Sequence, residues 1–284
     1  MQQKQPAANG AGLLGVARSF VEARQGGKTV ITYPGKAPSS LQEAYAIQDE
    51  AISLWTDTVA GWKVGRITGE DEKRFGVDRL VGPIFKNSIR RSNAKAEPMP
   101  VFESGFAAVE GEIVIILGVD APPNKMQWAT DEASALIQSI AAGIEIASSP
   151  FPGINDSGPL VTISDFGNNF GLIIGNEIPD WKSFEFDKWR CETFIDGKSV
   201  GKESPASIPG GPIESLRFLL ELSAKRGLPL KKGMSISTGA ITGVHAAQVG
   251  QSASVVFDGV DPIRCELLNY TPPDPQSATL RQSA

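Results

Sequence analysis

Between residues 13 and 25 the apolar positions recur at helical spacing and stop at Gly26-Gly27, which predicts a first helix. Residues 34–38 read as a loop between two prolines. Ser39 or Ser40 then caps a second helix over 41–55, with Ala44, Ile47, Ala51 and Leu54 as its apolar stripe. From residue 58 the pattern changes to short apolar runs with Gly, Pro, Asn and Asp between them. Strands are predicted over 58–64, 81–85, 109–117, 171–175, 234–241, 253–257 and 263–268, with a hairpin over 188–195 and 198–200 across an Ile-Asp-Gly-Lys turn. Residues 70–80 read as a short charged helix and a loop. Residues 130–142 read as a helix running into an alternating stretch around Glu145, and 213–225 as the last helix. This predicts an α+β chain: a flexible tail over 1–10, a small helical lobe over 11–60, a mixed, mostly β domain over 61–270, and a C-terminal tail over 271–284.

One strand stands out. In Val-Glu-Gly-Glu-Ile, Glu110 and Glu112 are two residues apart at the start of a β-branched run. Side chains i and i+2 of a strand share a face, so two carboxylates lie side by side while Val109, Gly111, Ile113 and Ile115 take the other face. Like charges at that spacing repel and need compensation once they are even partly buried. A hard divalent cation supplies it; a solvated strand edge is the alternative.

Composition narrows the possibilities. The 284 residues suffice for a large core, and 41% hydrophobic and 21% charged residues are ordinary for a soluble globular chain. A formal net charge of −5 gives no electrostatic footprint for nucleic acid or for an anionic membrane. No run reaches the ~18 apolar residues of a membrane span, and the first ten residues lack the apolar segment and cleavage site of a signal peptide. The expected location is the cytoplasm. The two cysteines, Cys191 and Cys265, form neither a disulfide framework nor a zinc spacing, and read as small buried hydrophobes. There is no dinucleotide or phosphate-loop fingerprint.

A single histidine, His245, excludes a multi-histidine zinc site, and it stands beside no nucleophile; it reads as a loop residue. Carboxylates, lysines and backbone donors remain. Glu145 is the lone acid of Ala-Ala-Gly-Ile-Glu-Ile-Ala-Ser-Ser and is costly to bury unless paired or bound to a metal, which makes it a candidate third ligand beside Glu110 and Glu112. Lys63, between Trp62 and Val64, either neutralises a nearby anion or reaches out to water. Asp165, Asn168 and Asn169 precede a strand and also fit a simple turn.

Taken in order, these segments resemble the 2-keto-4-pentenoate hydratase and 4-oxalocrotonate decarboxylase group of the fumarylacetoacetate hydrolase superfamily. The resemblance runs over most of residues 13–268. It is carried by Leu-Gln-Glu-Ala-Tyr-Ala-Ile-Gln in the second helix, Gly-Trp-Lys-Val-Gly around Lys63, the Glu-x-Glu pair, the Gly-Ile-Glu-Ile segment, Ile-Ser-Asp-Phe-Gly-Asn-Asn-Phe, and Ser-Thr-Gly around Thr238. It implies a β-roll-like fold with Mg²⁺ or Mn²⁺ on Glu110, Glu112 and Glu145. It implies catalytic roles for Lys63, Asp78 and Asp165, and a substrate pocket of Trp62, Phe85, Asn169, Thr238 and Gly239. The substrate would be a small 2-oxo acid and the protein a homo-oligomer.

The implied reaction is hydration of a 2-hydroxy-2,4-dienoate to a 4-hydroxy-2-oxo acid through a metal-stabilised enolate. Decarboxylation of a 2-oxo acid, hydrolysis of an acylpyruvate carbon–carbon bond, and a non-catalytic partner subunit are the alternatives. Retention of all three carboxylates weighs against the last, and the absence of an N-terminal histidine against the hydrolase. The chain departs from the group where a Pro-Asp string usually follows Gly-Val-Asp: here Leu80-Val81 stand in its place, and Trp62 replaces an arginine. Both changes make the pocket more apolar.

Overall fold

The computed structural model describes residues 8–183 and 185–273. The tail expected over 1–10 therefore lies outside the described residues except for its last three positions. Those three belong to a helix that begins at Ala8 rather than at residue 13. Of the C-terminal tail only 271–273 are described.

The chain opens with two helices, α1 (Ala8–Gly26) and α2 (Leu41–Leu54). Ser40 caps α2 by accepting from the Glu43 amide, while the Glu43 carboxylate accepts from the Ser39 amide and hydroxyl. The order then runs β1 (Val59–Arg66), α3 (Gly69–Phe75), β2 (Arg79–Phe85), β3 (Ile89–Arg91), β4 (Glu97–Val101), β5 (Phe106–Leu117), α4 (Thr130–Ser134), β6 (Ile137–Ser149), α5 (Pro159–Ser164) and β7 (Asn169–Glu177). The hairpin β8 (Cys191–Ile195) and β9 (Lys198–Glu203) follows, then α6 (Gly211–Lys225), β10 (Ser235–Ser237), β11 (His245–Ala246), β12 (Ser252–Phe257) and β13 (Ile263–Asn269).

Two mixed sheets carry the fold. The larger has the order β2-β1-β10-β5-β6-β7-β3, with β11 added to β5; the smaller is β4-β13-β12-β8-β9. The smaller sheet packs on one face of β5, where Val109, Ile113 and Ile115 join Cys191, Val255 and Leu267 in the main core. Gly111 marks a point of close approach between β5 and the smaller sheet. A Cβ there would lie 2.9 Å from Val255 Cγ1 and 3.0 Å from both Cys191 Sγ and Thr193 Oγ1. On its other face the larger sheet curls, bringing Ile84, Val114, Leu172 and Ile174 into a smaller apolar cluster. The curl presses β2 against the chain entering β7: a Cβ on Gly82 would stand 2.0 Å from the Phe166 carbonyl oxygen, so only glycine fits.

The α+β class holds. The long helix expected over 130–142 does not: α4 stops at Ser134 and residues 137–149 form a strand. That strand pairs with β5 from Ile137 to Ser149 and is buried on both faces over nearly its whole length. Burial on both faces removes the polar alternation that marks a strand, and Ala141, Ala142 and Gly143 mimic a helix-forming run. Strand β4, with its two prolines, and the short α5 carried no recognisable period. The strand expected over 234–241 ends at Ser237, where the chain turns across the larger sheet.

Candidate metal and substrate site

On the curled face of the larger sheet, opposite the smaller one, the strands bring the predicted carboxylates together. Glu110 and Glu145 are direct partners in the antiparallel β5–β6 register, and Glu112 is two residues further along β5. One oxygen from each carboxylate lies within 4.8 Å of the others. All three side chains are buried. Lys63, projecting from β1, places its ammonium 3.5 Å from Glu145 Oε1 and 3.4 Å from Asn168 Oδ1.

The surroundings engage one oxygen of two of these carboxylates and leave the other free. Glu112 Oε2 accepts from the Ser237 hydroxyl and, at 2.9 Å, from the Gly239 amide. Glu145 Oε1 accepts from Asn169 Nδ2 at 2.9 Å. Glu112 Oε1 and Glu145 Oε2 are buried with no hydrogen-bond partner. An orphaned carboxylate oxygen is expensive in a protein interior. Two of them, converging with Glu110, with their sister oxygens held by Ser237 and Gly239 on Glu112 and by Asn169 and Lys63 on Glu145, match what a hard divalent cation needs from its ligands and their supports. The residues fit a divalent metal ion.

The electrostatics agree. Burial pushes Glu110 up to about 7, against the pull of Lys63 and with the charge of Glu145 adding to it. Glu112 is raised well above the usual carboxylate range by burial and by the charges of Glu145 and Glu110. Burial alone would lower the Lys63 ammonium, but the surrounding glutamates, Glu145 first, outweigh it and hold the group charged. Three carboxylates against one ammonium leave the cluster short of positive charge.

A pocket of about 460 Å³ opens over Lys63 and Glu110. Its wall includes Arg66, Thr68, Asp71, Leu80, Asn155, Thr162 and Asn168. Asp71, on α3, is the carboxylate outside the glutamate cluster that this pocket exposes. It was not recognisable in the charged run Gly-Glu-Asp-Glu-Lys-Arg. Leu80, at the position of the missing Pro-Asp string, contributes apolar wall, and Val81 turns into the core.

Other predicted residues are placed differently. Trp62 lies on the opposite face of β1 from Lys63, in the main core beneath the Arg226 guanidinium. Phe85 packs against Trp55 and Phe166 and lines a separate recess beside Arg24. Alternation along a strand sends a neighbour of a site residue away from the site. Asp78 pairs with Arg79 beside an adjoining recess, as an acid next to a basic residue at a strand start readily does. Both oxygens of Asp165 accept from Arg24, and one also accepts from Ser149. Asn169 meets Glu145 rather than the pocket. Thr238 turns its hydroxyl to the Ile113 carbonyl and with Gly239 lines that adjoining recess. The supporting donor Ser237 and the buried Arg24 had no signal in the sequence. His245 shares a hydrogen bond between its ring Nε2 and Thr242 Oγ1, and burial lowers its pKa. Burial pushes both cysteine thiols up, consistent with inert packing.

No protein-family model matches the chain. It is 25% identical over 254 residues to a 2-keto-4-pentenoate hydratase of Burkholderia vietnamiensis, covering 88% of this chain and 95% of that protein. A second 2-keto-4-pentenoate hydratase, from Paraburkholderia xenovorans, is 25% identical over 256 residues, 88% of this chain and 93% of the relative. Among solved structures, the 4-oxalocrotonate decarboxylase from Pseudomonas putida G7, complexed with magnesium and adipate, superposes with a TM-score of 0.76 at 17% identity, over 93% of this chain and 100% of that one. The fumarylpyruvate hydrolase from Pseudomonas aeruginosa, in complex with Mn²⁺ and pyruvate, gives a TM-score of 0.55 at 14% identity, over 76% and 92% of the two chains. These likenesses bear out the resemblance to the hydratase and decarboxylase group, and the chain shares its fold with these two solved enzymes.

Proposed function

We infer that this chain is a metal-dependent hydro-lyase that adds water to a 2-hydroxy-2,4-dienoate to give a 4-hydroxy-2-oxo acid. The observation that carries the reading is the convergence of Glu110, Glu112 and Glu145, two of them with an unpartnered buried oxygen, beside a buried lysine at the floor of a pocket. The curated relatives named 2-keto-4-pentenoate hydratase support the choice of reaction.

Glu110, Glu112 and Glu145 would hold Mg²⁺ or Mn²⁺, which when bound supplies Lewis-acid polarisation of a 2-oxo acid. Lys63 provides a fixed, desolvated positive charge next to Glu145. It offsets the charge that an anionic substrate brings and that develops on the C2 oxygen as the 2-hydroxyl gives up its proton and as water adds to the conjugated chain. Asn168, which accepts from Lys63, and Asn169, which donates to Glu145, keep these two groups in register. Asp71 is placed on the pocket wall, where it would move the proton to or from water at the remote carbon. Leu80 and the neighbouring apolar wall exclude bulk water from the conjugated chain. The same reading carries a cytoplasmic homo-oligomer.

The test is incubation of the purified protein with freshly generated 2-hydroxypenta-2,4-dienoate in Mg²⁺ and in EDTA, with the product identified by NMR. Metal-dependent formation of the 4-hydroxy-2-oxo acid is the expected result. Evolution of CO₂ from 4-oxalocrotonate with no hydration would replace this reading by decarboxylation, and the absence of divalent-metal binding would remove the site.

A further inference from the structure

Arg24 is 1% exposed in the last turn of α1, far in sequence from the metal cluster. Its guanidinium grips both ends of one loop. Nε and Nη2 donate to the two carboxylate oxygens of Asp165, and Nη2 also donates to the Asp165 and Ser148 carbonyls. Nη1 donates to the Asn169 carbonyl at 3.0 Å. Phe166 and Phe170 set their rings against the same cation, with centroids 5.2 and 5.4 Å from Cζ.

Between those two anchor points the backbone is unusual. Phe166, Gly167 and Asn168 have φ of 55°, 62° and 58°, three consecutive left-handed residues. Such a run is unfavourable for an aromatic residue and persists only where the surroundings impose it. It aims two adjacent asparagines at the chemistry: Asn168 Oδ1 at Lys63 and Asn169 Nδ2 at Glu145. The Asn169 residue that receives Arg24 on its carbonyl holds Glu145 with its side chain.

We propose that Arg24 is a positioning residue of the metal site: it clamps residues 165–169 in their left-handed path, so that Asn169 fixes Glu145 and Asn168 fixes Lys63. The first helix is thereby part of the site, although none of its described side chains lines the pocket over Lys63 and Glu110. The proposal rests on the reading of the three glutamates as a divalent-metal site. Lysine cannot substitute here, because a single ammonium cannot serve the Asp165 carboxylate and the Asn169 carbonyl in the same plane.

The test uses the full chain as Arg24→Lys and Arg24→Ala, with Arg226→Lys as the control for loss of a buried arginine elsewhere. Mn²⁺ affinity is measured by titration calorimetry, and backbone amide exchange is followed for Asn168, whose N–H donates to the Asp165 carbonyl at 2.8 Å, and for β12. Arg24→Lys should weaken Mn²⁺ binding about tenfold or more, in the range of supporting-shell losses. It should speed Asn168 exchange by a similar factor and leave β12 unchanged. Added guanidinium should restore both properties in Arg24→Ala, and Arg226→Lys should alter neither. Should Arg24→Ala fail to fold, Arg24→Lys and Asp165→Asn carry the same readouts. Wild-type Mn²⁺ affinity with unchanged Asn168 exchange in folded Arg24→Lys would overturn the clamp. If the wild type itself binds no Mn²⁺, the proposed function falls, and Asn168 exchange alone decides whether Arg24 holds the loop.

Discussion

Glu110 and Glu145 face each other directly across the β5–β6 ladder, with Glu112 one step along the same face. Directly opposed like charges on a sheet are destabilising, and burial sharpens the effect. Glu112→Gln should therefore raise the melting temperature of the metal-free protein by a few degrees, equivalent to about 1 kcal/mol. The same change should lower divalent-metal affinity about 100-fold or more, since even supporting residues are worth about 10–100-fold. Calorimetric melts in EDTA and Mn²⁺ titration check the two halves, and a loss of apo stability would contradict the first.

The raised glutamates give the metal-free protein a pH dependence of definite sign. Glu110 rises from 4.5 to about 7, and Glu112 shifts upward as well. Between those values the folded chain binds more protons than the unfolded chain, so stability falls as pH increases from about 4.5 to about 7. Denaturant melts in EDTA across that window should show the decline. A saturating divalent ion should flatten it, with protons released on binding and detected as buffer-dependent heats.

Lys63→Met separates holding the ion from using the substrate. Removing a cation 3.5 Å from Glu145 should leave metal affinity unchanged or tighter, because the cluster becomes more negative. Turnover of the dienol should fall by about 10³-fold, the scale of a lost preorganised charge. Parallel loss of metal binding would mean that the lysine is needed to build the site.

Asp71→Asn should reduce kcat for hydration by about 10²–10⁴-fold, the usual contribution of a proton-transferring group, with Mn²⁺ affinity intact. Steady-state kinetics beside metal titration give the answer, and full activity would assign the proton to another group.

Gly111→Ala addresses the residue between the two β5 glutamates. Its Cβ would meet the smaller sheet at 2.9 Å from Val255 and 3.0 Å from Cys191, a contact with little room to relax. The expected loss is about 1–3 kcal/mol of stability, with weakened metal binding as β5 is pushed toward the cluster. Denaturant melts with metal saturated and absent distinguish the two.

Much of this site can be read from local pattern. Two acids separated by one residue in a strand share a face whatever the rest of the chain does, and Glu145 is conspicuous as the one charge in an apolar segment. Lys63 stands out for the same reason. What the pattern cannot give is contact between segments far apart in the chain. Arg24 and Asp165 are 141 residues apart and Ser237 and Glu112 are 125 apart, and nothing near Arg24 or Ser237 hints at the pairing. Trp62 and Phe85 misled because nearness in sequence to a site residue says nothing about which side of a strand a ring takes. The helix expected over 130–142 failed where complete burial erased the alternation that would have revealed a strand.

The pairing of Glu110 with Glu145 has a consequence for how the chain reaches its native state. A slip of one residue between β5 and β6 would turn Glu145 to the other side of the sheet and leave two acids facing an apolar strand. Such a chain could still form a ladder, yet it would have no three-oxygen nest. A divalent ion present during refolding would thus act as a proofreader of strand alignment, drawing molecules out of misregistered pairings because only the correctly aligned hairpin can hold it.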